Sequence, residues 1–328
     1  MTSKRIFVTG ASGCIGHYIA EALIEKTEHE LYLLVRNPDK LGFDYNARPG
    51  ITILHADLRE IDRFSKFLKT MDAAILAATA WGGSQEVFDI NVVKTIRLME
   101  LLDPKVCEQV IYFSTASILD SQNQLLKEAG QLGTDYIRSK YDCMRRLSKL
   151  AIAPKLTTLF PTLVLGGDPN KPYSHLSSGI TDVVKWVNLI RWFKADGSFH
   201  FIHARDIAQV VLYLINHPLD RPELPPGLTN NHLVLGNLPM TVNQTVEELC
   251  AYLEKKIYFR VPLSLWLANF FITLFQIQMS AWDRFCLNYR HFTYQNPVNP
   301  KTLGLPAYCP TFNDVLKISG IQGERGEG

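Results

Sequence analysis

Short apolar runs recur through the first half of the chain: RIFVT at 5–9, LYLLV at 31–35, ITIL at 51–54, AAILA at 73–77 and QVIYF at 109–113. Each is nearly continuous instead of alternating, and most run into Gly, Asn, Asp or Ser, which is the pattern of strands buried on both faces. Between them the period lengthens to that of a helix. Ile15, Ile19, Ala22 and Leu23 share one face, and Val93, Ile96, Leu98, Leu101 and Leu102 supply the apolar surface of a long helix predicted over 86–102. Buried strands alternating with amphipathic helices predict an α/β fold, a doubly wound parallel sheet.

After Pro161 the alternation stops. Residues 174–179 read as loop, 180–193 as a helix, and 218–231 as a loop rich in Pro and Asn. Thr241 opens a new helix over 242–253. The expected organisation is a nucleotide-binding domain over 1–165 whose core returns at 201–217 and 232–236. A smaller, mostly helical substrate or lid region takes 166–200 and 237–320, and 321–328 (IQGERGEG) is a polar tail.

One stretch is ambiguous by pattern alone. Between Arg260 and Asp283 lie 22 uncharged residues, with Trp266, Phe270, Phe271, Phe275 and Trp282 among them. Length allows a membrane span. Asn269, Gln276 and Gln278 argue against one, and Pro262 suits a helix start. Three readings stay open for 261–282: a buried or lid helix, an interfacial helix touching a membrane, and a true span.

The first strand runs into Gly10, Gly13 and Gly16, and a helix follows from Ile15. Strand, glycine turn and helix make a phosphate cradle. Gly10 allows the tight turn, Gly13 lets backbone approach a pyrophosphate, and Gly16 lets the helix pack on the strand. Ser12, Cys14 and Ile15 complete the turn, whose N–H groups and helix dipole face the anion. For Cys14 the expected role is that of a small side chain, not a reactive thiol.

The ends of later strands refine the ligand. Val35 is followed by Arg36, with Lys40 close behind. A basic residue there pairs with a 2′-phosphate, whereas an acid would hold the ribose hydroxyls, so the reading is NADP(H) over NAD(H); a solvated Arg36 is the alternative. Asp57, beside Leu58, is placed to accept from an adenine amino group or to cap the next helix. Ala77, Ala78 and Thr79 are small enough to lie against a cofactor, and Trp81 before Gly82-Gly83 stands near a substrate or serves in packing. Asn91 is a polar amide on a helix facing the sheet and needs a partner. Thr115 and Ala116 follow the fifth strand among clustered hydroxyls.

Tyr136 and Lys140 stand four apart, on one face of a helix. An ammonium near a phenol favours the phenolate and is expected to lower the Tyr136 pKa, making it a general acid or base near neutral pH.

Composition adds exclusions. The chain has 328 residues, 20% charged and 47% hydrophobic, with a net charge of +2. That excludes general disorder and gives no global field for nucleic acid or anionic membranes. Six scattered cysteines form no CxxC pair, so neither a disulfide framework nor a metal site is expected, and a reducing, cytoplasmic setting fits. Met1 to Arg5 lead straight into the first strand, so no cleavable leader is expected.

Together these motifs resemble the extended branch of the short-chain dehydrogenase/reductase superfamily, with its epimerases, dehydratases and reductases. Thr9, Gly10, Gly13 and Gly16 match its glycine motif, Tyr136 and Lys140 its tyrosine–lysine pair, and Thr115, four before Leu119, its catalytic hydroxyl. Asp57-Leu58 resembles the adenine-contacting pair, and Asn91 the asparagine that holds a proton-relay water. Residues 159–163, with Pro161 and Leu163, resemble the turn against the nicotinamide. Residues 201–208 and 303–316 resemble later family segments. The resemblance implies a Rossmann-type sheet in which Thr115 holds the substrate oxygen, Tyr136 moves its proton, and Lys140 tunes Tyr136 and binds the nicotinamide ribose. It also implies a candidate homodimer through the helices bearing Asn91 and Tyr136.

Two departures bear on activity. Residues 195–200 lack the arginine with which many sugar-nucleotide members grip a phosphate, and Arg36 replaces the acid typical of NAD-using epimerases. Both point to an NADPH-dependent reductase like dihydroflavonol reductase, acting on a largely apolar small molecule. The alternatives are a nucleotide-sugar epimerase or dehydratase, and a non-catalytic NADP-binding scaffold at a membrane complex.

Overall fold

A computed structural model describes residues 3–217 and 231–321. The predicted loop at 218–231 and the tail therefore lie outside the described residues, apart from Asn231 and Ile321. β1 (Arg5–Thr9), β2 (Glu30–Val35), β3 (Ile51–His55), β4 (Ala73–Leu76), β5 (Gln109–Phe113), β6 (Leu156–Pro161) and the strand His232–Leu235 form one seven-stranded parallel sheet. Its order is His232–Leu235, β6, β5, β4, β1, β2, β3. The winding reverses between β1 and β4, which opens a crevice at the carboxyl ends of those two strands.

Continuous apolar runs buried on two faces give two cores. Ile6, Val8, Leu31, Leu33, Ile75, Ile111 and Leu233 face one side, against α1 (Cys14–Lys26) and the helix Ala204–Asn216. Phe7, Leu34, Ala74, Tyr112 and Val234 face the other, with Cys143, Met144 and Leu147 of the helix Asp135–Leu147.

Three local predictions need correction. The helix expected over 86–102 runs instead over 84–101, and its middle, Asp89–Lys94, is a π turn between Ser84–Phe88 and Thr95–Leu101. Residues 174–179 are not loop: the Ser174 hydroxyl accepts from the Ser177 N–H at 3.0 Å and starts the helix His175–Lys185. The segment predicted as one helix over 180–193 then breaks into Val187–Ile190 and a short strand, Phe193–Lys194.

The stretch 261–282 is neither a buried helix nor a span. It holds a short strand, Val261–Pro262, and a ten-residue helix, Leu265–Leu274. Ser280 and Asp283 then form a capping box that starts a separate helix, Ala281–Tyr289. Trp266 is 75% exposed and Leu274 58%. No helix among the described residues is long and apolar enough to cross a membrane.

The second half reaches back to the sheet through small ladders. Leu163–Leu165 pairs with Phe201–His203, and Ser198–Phe199 lies between Met240–Thr241 and His291–Phe292. The buried Asp206 carboxylate accepts from the Tyr308 and Cys309 N–H groups at 2.6 and 3.0 Å, tying the C-terminal segment to the helix Ala204–Asn216.

Candidate active site

The glycine turn stands at the crevice. Gly10 has φ +80°, and a Cβ there would lie 2.6 Å from the Ala77 and Ala78 backbone. A Cβ on Gly16 would lie 2.0 Å from the Gly10 carbonyl, so α1 sits directly on the turn. Gly13 is different. It is exposed, and a Cβ there would meet only the Gly10 carbonyl, at 3.4 Å. Gly13 also caps α1 with no side chain bonded to the first-turn N–H groups. An open approach to uncapped N–H groups fits a pyrophosphate, so the residues present suit a dinucleotide. Ser12 and Ile15 are half-buried beside it. Burial, with Asp168 nearby, pushes the Cys14 thiol up to about 12, so it stays neutral.

Arg36 ends β2 with its side chain 70% exposed, and its Nη1 lies 3.7 Å from Asp57 Oδ2. Lys40 is exposed at the end of the following 3-10 turn, Pro38–Lys40. Asp57 caps its turn: Oδ1 accepts from the Arg59 N–H at 2.8 Å, and the Glu60 carboxylate accepts from the Asp57 N–H. One carboxylate oxygen thus serves the cap while the other faces Arg36. Leu58 is buried behind it. Ala77 and Ala78 hang from Thr9, the Ala78 N–H donating to the Thr9 hydroxyl at 3.2 Å.

Asn91 is fully buried in the π turn. Its Oδ1 accepts from the Ala80 N–H at 2.8 Å and the Thr79 hydroxyl at 3.1 Å. Its Nδ2 donates to the Ala80 carbonyl at 3.1 Å and to Ser139 Oγ at 3.0 Å. Both polar atoms are occupied. Asn91 ties the loop after β4 to the helix carrying Tyr136 and Lys140.

Thr115, Tyr136 and Lys140 come together. Tyr136 hydrogen-bonds the Thr115 side chain, and the Lys140 ammonium lies 5.9 Å from the Tyr136 ring centroid. Lys140 is buried, and its Nζ donates to the Phe113 carbonyl at 2.9 Å. Burial lowers its pKa to about 8. The expectation for Tyr136 is reversed in this state: burial pushes the phenol above its ordinary 10, and the Thr115 hydrogen bond only partly opposes it. The Trp81 ring covers one side of that phenol, stacked on Tyr136 at 3.8 Å between centroids and edge-on to His175 at 4.8 Å.

Beside Thr115 is a cavity of about 200 Å³. Ala116, Leu163, Phe199, Phe292 and Tyr294 give it apolar walls, and Ser117, Thr162, Ser198, His200 and Arg290 supply polar groups. Of the sequence-predicted residues, only Ala116 and Leu163 line it. Pro161 ends β6 one turn away, and the Thr162 N–H and hydroxyl both donate to the Leu235 carbonyl, at 3.0 and 2.8 Å. His200 is held neutral by burial, its Nδ1 on the Asn237 carbonyl at 2.7 Å and its Nε2 accepting from the Tyr294 N–H at 3.1 Å. Arg290, which no sequence motif marked, reaches this cavity from the C-terminal end and pairs with Asp196 at 3.0 Å. Its only local signal is a positive φ of 56°.

No curated protein matches the chain by sequence. Among solved structures it superimposes on gox2253 with a TM-score of 0.68 at 17% identity, over 97% of this chain and 99% of that one. The UDP-glucose 4-epimerase of Stenotrophomonas maltophila, solved with NAD and formylated UDP-arabinopyranose, matches with a TM-score of 0.58 at 17% identity, over 79% and 86%. A thiolation-reductase di-domain from an archaeal non-ribosomal peptide synthetase matches with 0.59 at 15% identity, over 88% and 89%. At these identities the likeness is one of fold. The profile of the NAD dependent epimerase/dehydratase family matches residues 6–226, two-thirds of the sequence and all of the glycine turn and the Tyr136–Lys140 pair. The chain belongs to that family, within the extended short-chain dehydrogenases/reductases.

Proposed function

We propose that this protein is an NADPH-dependent oxidoreductase that interconverts a carbonyl and an alcohol on a small, largely apolar molecule. The observation that carries the reading is the convergence of Thr115, Tyr136 and Lys140 beside the glycine turn. A bound nicotinamide supplies or accepts the hydride. The Thr115 hydroxyl holds the substrate oxygen, and the Tyr136 phenol gives that oxygen its proton or takes it away. Lys140, with its pKa lowered to about 8, would hold the nicotinamide ribose and tune the Tyr136 phenol. Arg36 and Lys40 would pair with a 2′-phosphate, and Asp57 would accept from the adenine amino group. The apolar walls at Leu163, Phe199 and Phe292, and the volume of about 200 Å³, suit a compact substrate.

A second reading, nucleotide-sugar epimerisation or dehydration, has one observation in its favour. Arg290 lines the same cavity as Ser117 and His200, a cation where a diphosphate could be gripped. Its Asp196 partner already takes up that charge. The experiment is a turnover panel with wild type and Tyr136→Phe. Small apolar aldehydes and ketones are assayed by loss of reduced-nicotinamide absorbance, and nucleotide sugars by product chromatography. NADPH consumption with a carbonyl, abolished in Tyr136→Phe, supports the reductase. Turnover of nucleotide sugars alone overturns it, and no turnover on either panel, with cofactor still bound, leaves the non-catalytic scaffold.

A further inference from the structure

Independently of the reaction, the structure carries an exposed aromatic surface. The ladder of Phe193–Lys194 with Val261–Pro262 joins two segments, sealed by the Val261 N–H on the Trp192 carbonyl at 2.8 Å. Just before that ladder stand Tyr258 (75% exposed) and Phe259 (64%), next to the Trp192 ring at 6.5 and 5.0 Å between centroids. The chain then enters the helix Leu265–Leu274. Trp266, Phe270 and Leu274, spaced four apart, form one stripe along it, with Trp266 and Phe270 stacked at 6.0 Å. Phe275 beyond the helix is 67% exposed. The five exposed aromatics alone leave on the order of 500 Å² of apolar surface in water, at about 150–250 Å² per ring system. That is the size of the largest apolar patch on a typical soluble monomer, which is often functional.

Charge says what covers it. Residues 261–282 carry no charge, whereas the adjoining 185–194 hold Lys185, Arg191 and Lys194 and no acid. Residues 255–260 add Lys255, Lys256 and Arg260, again with no acid. Arg260 is engaged by Glu247. Lys194 and Lys256 are exposed beside the aromatic ladder. With the flanking Asp196 and Glu254 counted, the two segments still sum to +4, in a chain whose total is only +2. An uncharged Trp- and Phe-rich helix, too short to span and bordered by cations, matches the interface of a bilayer carrying anionic headgroups.

We infer that the Tyr258–Phe275 face docks the protein on an anionic lipid surface, with Trp266 and Phe270 entering the headgroup–acyl boundary and Lys194 and Lys256 meeting lipid phosphates. The test is flotation of the full chain with vesicles of phosphatidylcholine alone or with phosphatidylglycerol, at low and high salt. Expected is at least tenfold more bound protein on the anionic vesicles, reduced by salt. The Trp266→Ser/Phe270→Ser variant loses binding at least tenfold. The Lys194→Glu/Lys256→Glu variant loses only the preference for anionic lipid. As a second measurement that needs no variant, brominated acyl chains are expected to quench the wild-type tryptophan emission. No flotation with either vesicle overturns the inference. So does flotation that both variants retain. A wild-type dimer that the aromatic variant dissociates, with no lipid binding, overturns it in favour of a second copy of the chain.

Discussion

Lys140→Met should stabilise the free protein at neutral pH. Lys140 is 2% exposed, its ammonium donates to the Phe113 carbonyl at 2.9 Å, and among the described residues no carboxylate forms an ion pair with it. Burial lowers its pKa from 10.5 to about 8. At about 1.4 kcal/mol per pKa unit, keeping the charge in the fold costs about 3 kcal/mol at pH 7. Methionine keeps the unbranched apolar stem and removes that cost, and losing the hydrogen bond gives back about 1 kcal/mol. The net gain is about 2 kcal/mol at pH 7. The sign of the pH dependence follows from the direction of the shift. Between about 8 and 10.5 the unfolded chain holds the proton that the folded chain has lost, so wild-type stability rises with pH through that window. The penalty is fully present below it. By pH 10 the wild type recovers about 2.5 kcal/mol and the two proteins become about equally stable. Urea unfolding of both proteins at pH 7 and pH 10, without cofactor, reads this directly. A Met variant less stable than wild type at pH 7, or a gap that does not narrow toward pH 10, refutes the buried, uncompensated ammonium.

Other consequences follow from single contacts. Arg36→Ala should weaken NADPH binding about tenfold or more and leave NADH binding nearly unchanged, since only the 2′-phosphate loses a charge-assisted partner; calorimetric titration of both cofactors checks it. Gly16→Ala places a Cβ 2.0 Å from the Gly10 carbonyl and should abolish cofactor binding while lowering the melting temperature. Asn91→Ala strips partners from the Ala80 N–H and carbonyl and from Ser139, and should cost about 2–3 kcal/mol in urea unfolding. It should also slow turnover by loosening the Trp81 loop.

The sheet was legible because each strand is a short apolar run buried on both faces, and the glycine turn because only glycine fits at Gly10 and Gly16. Thr115, Tyr136 and Lys140 were legible as a helical i,i+4 pair after a hydroxyl-rich strand end. The state of Tyr136 was not, because it depends on Trp81, brought over the ring from another loop. The π turn at Asn91 was equally hidden, since the partners of its amide, Thr79, Ala80 and Ser139, come from other elements. Arg290 reaches the cavity from the far end of the chain, where local pattern carries no trace of the contact. For 261–282, hydrophobicity alone could not separate inside from outside, and the Ser280–Asp283 capping box starts a separate helix after the first has ended at Leu274.

The most direct test of the central claim compares wild type with Tyr136→Phe for NADPH binding and for single-turnover reduction of a small apolar aldehyde. The account predicts unchanged cofactor affinity and a hydride-transfer rate at least a hundredfold lower in the variant, in line with loss of a positioned acid. Equal rates in the two proteins would contradict it.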